Sequence, residues 1–111
     1  LDMAALVARE SERRRDFEIL YGPDLKVKET GNDLFFAARH CIEKKQALPR
    51  LFQCCGKEDF LYQDNIAFRD FAKNAGLPLT WQQDEGYGHT WDYWDLRIQT
   101  VLEWLFGPPP E

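Results

Sequence analysis

Two residues in this chain have the types and the spacing to move protons together. Asp59 follows the apolar run Leu48-Pro49-Arg50-Leu51-Phe52-Gln53-Cys54-Cys55, at the end of Gly56-Lys57-Glu58-Asp59. His89 follows a second apolar run, Leu79-Thr80-Trp81-Gln82, within Glu85-Gly86-Tyr87-Gly88-His89-Thr90-Trp91. A neutral imidazole takes a proton from a nucleophile and returns it to a leaving group near neutral pH. A carboxylate on the opposite ring nitrogen fixes the tautomer and stabilises the imidazolium as it forms. Taken singly, an aspartate after a strand is a turn or cap residue, and a loop histidine is solvated. Their places at the ends of consecutive strands are what make them a candidate catalytic pair. Gly86 and Gly88 leave the histidine loop free to take an unusual backbone path. Trp91 lies close enough to His89 to line a binding site, although Trp91, Trp94 and Trp104 also read as core. Lys57, Glu58 and Tyr62 read as loop and cap residues.

The elements that must hold this pair are legible from periodicity and punctuation. Leu51 to Cys55 is apolar on both faces, as a strand covered by helices on either side would be. Asp64 or Asn65 is placed to cap the next helix, whose inner stripe is Ile66, Phe68, Phe71, Ala72 and Ala75. Gly76 and Pro78 end it, and Leu79 to Gln83 reads as a second strand. A strand–helix–strand of this length implies parallel pairing with a right-handed crossover. In such open sheets, ligands and chemistry gather at the carboxyl ends of the strands. After His89, the residues Trp91, Trp94, Ile98, Val101, Leu102 and Leu105 fall at helical steps and predict an apolar face that packs on the sheet. Gly107 and Pro108-Pro109-Pro110 end that helix.

Upstream the signals are weaker. Leu1 to Phe17 reads as a polar surface helix or irregular lead-in, Leu20-Tyr21-Gly22-Pro23 as a break, and Asp24 to Gly31 as a loop. Asn32-Asp33 starts a helix carrying Leu34, Phe35, Ala38, Cys41 and Ile42, with Lys44-Lys45 in its last turn and Pro49 closing it. The fold class is therefore α/β, with residues 1–47 a helical lead-in and residues 48–106 a strand–helix–strand–helix segment. No internal repeat and no second domain are expected.

The totals exclude several classes. A chain of 111 residues with 44% hydrophobic and 14% aromatic residues suits one packed domain rather than a disordered segment. A net charge of -5 argues against a nucleic-acid partner, and no apolar run is long enough to span a bilayer. Cys41, Cys54 and Cys55 lack metal-ligand spacing, so neither metal nor cofactor is expected. Adjacent Cys54 and Cys55 point to opposite faces of a strand, which leaves free thiols suited to a reducing, cytoplasmic compartment.

Longer stretches resemble a known family. Gly56-Lys57-Glu58-Asp59-Phe60-Leu61-Tyr62, followed by Asn65 and Phe68, resembles the acid-bearing stretch of α/β-hydrolase esterases of the tributyrin/acetyl-esterase type, related to esterase D and S-formylglutathione hydrolase. Gly88-His89-Thr90-Trp91-Asp92-Tyr93-Trp94 resembles the histidine stretch of the same family. Tyr21-Gly22 and Asn32-Asp33-Leu34 resemble the segment before these motifs. The resemblance implies that Asp59 is a triad acid, that His89 is the triad base, and that the two strands are the last two of a hydrolase sheet. The substrate would be a small ester.

The family's nucleophile is a serine on a G-x-S-x-G elbow that precedes acid and histidine in the chain. The one serine here, Ser11, sits in Arg9-Glu10-Ser11-Glu12-Arg13, with no flanking glycines. Cys55 lies on the strand side of the loop and is a poor substitute. The opening Leu1-Asp2-Met3 has no initiator and no signal peptide. The expectation is thus that residues 1–111 are the C-terminal portion of one α/β-hydrolase domain, lacking nucleophile and oxyanion hole and inactive alone. The alternative is a non-catalytic module that self-associates, as a homo-oligomer, through an exposed sheet edge.

Overall fold

In the computed structural model, which describes residues 3–108, the chain divides into two compact units, Leu1–Leu48 and Pro49–Glu111.

The first unit is helical. Helix α1 spans Met3–Arg9, a single 3₁₀ turn spans Ser11–Arg13, α2 spans Arg14–Tyr21 and α3 spans Leu34–Glu43. Leu1 and Asp2 lie outside the described residues, but the lead-in is not wholly a surface element: Met3, Leu6 and Val7 are buried. The expected break comes at Gly22, whose φ of 87° stops α2. Asp33 caps α3 as its short side chain predicts. It is buried, and its carboxylate accepts from the backbone N–H groups of Glu29, Phe35 and Phe36. Burial pushes the Asp33 pKa up, but these three donors outweigh it and leave the group below the usual carboxylate range. The end of α3 differs from expectation. The helix stops at Glu43, where Lys44 is its cap and Lys45 turns at φ 53°, so Pro49 closes nothing helical.

The second unit carries the alternation read from the sequence. Strand β1 spans Leu51–Gly56, α4 spans Tyr62–Ala75, β2 spans Leu79–Asp84 and α5 spans Trp91–Phe106. The strands pair in parallel, from Leu51 opposite Leu79 to Gly56 opposite Asp84. Neighbouring residues of a strand face opposite ways. Gln53 donates through Nε2 to the backbone and side-chain oxygens of Asn65 on α4, while the ring of Phe52 meets that of Trp104 on α5 with centroids 5.5 Å apart. The two helices therefore cover opposite faces of β1.

Three expectations fail here in detail. First, β1 is only half-buried along most of its length; Cys55 and Gly56 alone are fully covered. Second, neither Asp64 nor Asn65 caps α4. The helix begins earlier, at Tyr62, because Asp59 Oδ1 accepts from Leu61 N at 2.8 Å and Asp59 O accepts from Tyr62 N at 2.9 Å. Asn65 instead ties α4 to β1 through Gln53. Of the expected inner stripe, Phe68 and Ala72 are buried, and Ala75 is exposed. Gly76 ends the helix in the left-handed conformation at φ 72°, where glycine has no Cβ penalty.

Third, α5 turns a different face to the sheet. Tyr93 is its most buried residue, at 1% exposure, and Trp104 packs on β1 under the Arg50 guanidinium. Trp91 is 81% exposed, and Ile98, Leu102 and Leu105 are about half-exposed. The reason lies between Tyr93 and Trp104. Arg97 stands one turn after Tyr93, and both reach Asp84 at the end of β2. Rotating the predicted stripe onto β1 would pull Arg97 off that carboxylate. Phe106 is the last helical residue, and Pro109 and Pro110 lie outside the described residues.

Candidate functional site

The site is built where the chain leaves the carboxyl ends of β1 and β2. After β1 the backbone turns at once: Asp59 N donates to Gly56 O at 3.2 Å. This turn swings the Asp59 side chain inward, leaving it only 7% exposed. Both of its oxygens are engaged. Oδ1 takes the Leu61 N–H, and Oδ2 lies 2.9 Å from His89 Nδ1. An ionised carboxylate only accepts, so Nδ1 carries the proton of this hydrogen bond and Nε2 is left with its lone pair free. The histidine side chain is 39% exposed, so that nitrogen can be reached from solvent. The arrangement can accept a proton on Nε2 and stabilise the resulting imidazolium through Asp59.

The loop that carries His89, residues 85–90, is tied down against the Asp59 loop. Glu58 N donates to Tyr87 O at 3.0 Å and Lys57 N to Asp84 O at 2.9 Å. The approach is close enough that only glycine fits at position 56, because a Cβ there would lie 2.1 Å from Tyr87 O. Gly86 takes φ 79°, as the glycine-rich loop predicts, while Gly88 needs no positive φ. On the helix side, Thr90 precedes α5 in extended conformation, and its hydroxyl donates to Asp92 Oδ1. The hydroxyl and the backbone N–H groups hold the Asp92 carboxyl below its ordinary range.

Aromatic rings flank the imidazole. Phe60 lies 5.0 Å from the His89 ring, and Trp94 meets it edge-on at 4.9 Å. Trp91, singled out from the sequence, touches Trp94 rather than the histidine. It stands one ring away from the pair. Phe60 and Trp94 are the direct neighbours that sequence reading missed. Trp94 was assigned to the core because it shares a helical stripe with Ile98 and Val101. Its position five residues after His89, one turn into α5, was the available signal.

A third feature also escaped the sequence. Asp84 Oδ2 accepts from Tyr93 OH at 3.0 Å and from Arg97 Nε at 2.9 Å, and Oδ1 accepts from Arg97 Nη2 at 3.1 Å. Arg97 Nη1 continues to Thr100 Oγ1 at 3.0 Å. Burial and the Asp84 carboxylate raise the Tyr93 pKa well above its ordinary value. The i, i+4 spacing of Tyr93 and Arg97 was the clue.

The two thiols of β1 are not activated. Cys55 is buried, and burial, with Asp59 and Cys54 nearby, pushes its pKa up to about 11. Burial also raises Cys54. Neither fits a thiolate nucleophile. Ser11 sits in the 3₁₀ turn of the first unit, away from any strand-to-helix elbow. Among the described residues, no group of three or more His, Cys, Asp or Glu is placed to hold a metal ion. Among them, too, no helix is long and apolar enough to cross a membrane.

Comparison with known proteins adds one finding. No protein-family model matches the chain. An acetyl esterase from Caldicellulosiruptor saccharolyticus is 38% identical over 63 residues, 57% of this chain. That stretch spans only 23% of the length of the esterase. Over it, this α/β chain is related to an ester hydrolase.

Proposed function

We propose that Asp59 and His89 are the acid and base of a serine carboxylic-ester hydrolase, of the tributyrin/acetyl-esterase type, acting on short-chain acyl esters. The hydroxyl nucleophile and the oxyanion hole come from polypeptide outside these 111 residues, and the chain by itself is inactive. His89 Nε2 removes the proton as the hydroxyl attacks the ester carbonyl. The imidazolium, paired with Asp59, returns that proton to the departing alcohol. Water then enters by the same route and releases the acyl group as a carboxylic acid. No metal or cofactor takes part. The free thiols fit a cytoplasmic setting.

The observation that carries this reading is the 2.9 Å contact between His89 Nδ1 and a carboxylate that is itself held by Leu61 N. Such an arrangement orients an imidazole, and an ordinary solvated histidine has no need of it. The relation to an acetyl esterase supports it independently. The test is a chimera in which residues 49–111, which carry Asp59 and His89, replace the corresponding segment of that enzyme. The chimera hydrolyses p-nitrophenyl acetate and loses this activity with His89→Ala; undiminished turnover in the variant would end the proposal.

A second reading rests on a different observation. Among the described residues β1 has one hydrogen-bonded neighbour, β2, and α5 exposes Ile98, Leu102, Leu105 and Phe106. An open edge beside an apolar helix face is a surface for another chain. On this reading the 111 residues are a non-catalytic module that self-associates. Sedimentation velocity distinguishes the two, because a monomer at micromolar concentration rules out self-association.

A further inference from the structure

The loop 85–90 leaves β2 at Asp84 and enters α5 at Trp91. A loop with one free end would let the imbedded histidine swing, and a single hydrogen bond to Asp59 would then be intermittent. Here both ends are tied to each other. Asp84, the last residue of β2, grips Tyr93 and Arg97 in the first two turns of α5 through three hydrogen bonds between 2.9 and 3.1 Å. The grip is shielded, with Arg97 and Asp84 side chains only 18% and 21% exposed. The Tyr93 ring, which is buried, also lies 5.2 Å from the Tyr87 ring in the middle of the loop. Tyr87 O in turn accepts from Glu58 N, next to Asp59.

We propose that Asp84, Arg97 and Tyr93 are positioning residues: they clamp the base of the histidine loop and so keep the His89 imidazole on Asp59. The path is continuous. The carboxylate fixes the first turns of α5 relative to β2; the helix start fixes Thr90 and His89; Tyr93 steadies Tyr87, which docks on the Asp59 loop. Guanidinium is suited to the task because its planar fork meets both carboxylate oxygens at once and resists rotation. Release of Arg97 frees the helix start while the hydrophobic contacts between Trp104 and Phe52 keep α5 on the sheet. Its bearing on ester hydrolysis rests on the function proposed for His89, but the clamp itself is a claim about the Asp59–His89 hydrogen bond.

The experiment reads that hydrogen bond in the full 111-residue chain by NMR of ¹⁵N-labelled histidine. The unaltered chain gives a slowly exchanging downfield Nδ1 proton signal for His89, which Asp59→Asn removes. Arg97→Met keeps the far-ultraviolet circular dichroism of the folded chain and speeds exchange of that proton roughly tenfold or more. Arg97→Lys keeps the charge without the fork and restores the signal only in part. Phe68→Leu, which loosens the α4 core, leaves the signal unchanged. If Arg97→Met does not fold, Tyr93→Phe, which deletes one hydroxyl and keeps the ring, is judged by the same criterion. Wild-type exchange in the clamp variants overturns the inference, as does equal acceleration in Phe68→Leu or absence of the signal from the unaltered chain. Loss or gain of esterase activity in a chimera leaves it untouched.

Discussion

Asp59 and Asp84 are the same residue type, each at the end of a parallel strand, and they do opposite things. Asp84 spends both oxygens on α5, and its partners Arg97 and Tyr93 are enclosed. Its hydrogen bonds end inside the protein. Asp59 spends one oxygen on the Leu61 N–H and the other on an imidazole whose far nitrogen opens to solvent. Its hydrogen bond leads outward, to a group that can exchange a proton. What separates a structural carboxylate from a candidate catalytic one is therefore the far side of the partner, and neither burial nor strand position distinguishes the two. A guanidinium keeps its charge throughout the accessible pH range, whereas an imidazole does not.

The sharpest way to break this comparison is through turnover. In the chimera described above, His89→Ala and Asp59→Asn each lower kcat for p-nitrophenyl acetate by on the order of 10⁴-fold, because the imidazole is removed or left in the wrong tautomer. Initial rates at saturating substrate measure the effect. Equal rates for Asp59→Asn and the parent would place Asp59 with Asp84 as a structural residue.

The complementary prediction concerns stability. Asp84→Ala takes the carboxylate from a shielded guanidinium, which keeps its bond to Thr100, and from a tyrosine hydroxyl, and costs the chain about 1.5–3 kcal/mol, the range for hydrogen bonds to charged groups. Asp59→Ala loses one backbone N–H partner and one imidazole, and costs about 1 kcal/mol. Urea denaturation followed by tryptophan fluorescence gives both values. A larger loss for Asp59 than for Asp84 would reverse the assignment of roles.

Why Asp59 was legible in the sequence and Asp84 was not follows from the same contrast. Asp59 and His89 stand out because each follows an apolar run and glycine-rich punctuation, and both signals are local. The strands, α4 and the parallel pairing were legible for the same reason: short apolar runs, Gly76 and Pro78, and a crossover too long for a hairpin. Asp84 drew no reading, falling just past the expected second strand Leu79 to Gln83, because its partners lie nine and thirteen residues later on a helix whose rotation the sequence does not set. That rotation also misled the reading of α5. Its apolar residues form a band wide enough to offer two faces, and the polar grip on Asp84 chose the one with Tyr93 and Trp104. The start of α4 was missed because Asp59, outside the helix, supplies the acceptors that Asp64 or Asn65 was expected to provide.

Alkaline pH sharpens the comparison from another side. Cys55, beside Asp59, is raised from 9.0 to about 11, and Tyr93, on Asp84, is raised above 10.0. In each case the folded chain holds its proton more tightly than the unfolded chain does. Above the unfolded pKa the unfolded state binds fewer protons, so the stability of the fold falls as pH rises. The loss begins near pH 9 through Cys55 and steepens above pH 10 through Tyr93. Urea midpoints between pH 8 and pH 11 follow this decline. Cys55→Ala reduces the part that starts near pH 9, to which Cys54, also raised by burial, contributes, and Tyr93→Phe removes the part that starts near pH 10. A flat profile in the parent chain would mean that neither group is sequestered as the structure places it.

The smallest effect belongs to a third acidic contact near the same loops. Lys57 Nζ lies 2.8 Å from Glu85 Oε1, joining the segment after β1 to the one after β2. Its geometry rivals that of Asp84 with Arg97, and each partner favours the charged form of the other, which raises Lys57 and lowers Glu85. Yet Glu85 is 84% exposed, and water competes for both charges. The backbone bonds from Lys57 N to Asp84 O and from Glu58 N to Tyr87 O already join these segments. Lys57→Met therefore leaves the urea midpoint at low salt unchanged within error, and raising the salt concentration does not separate variant from parent. A clear, salt-sensitive drop in Lys57→Met would show that the surface pair helps to hold the histidine loop. The distinction drawn from Asp84, that a carboxylate anchors this loop only when its partner is shielded from water, would then need to be redrawn around solvent-exposed charge.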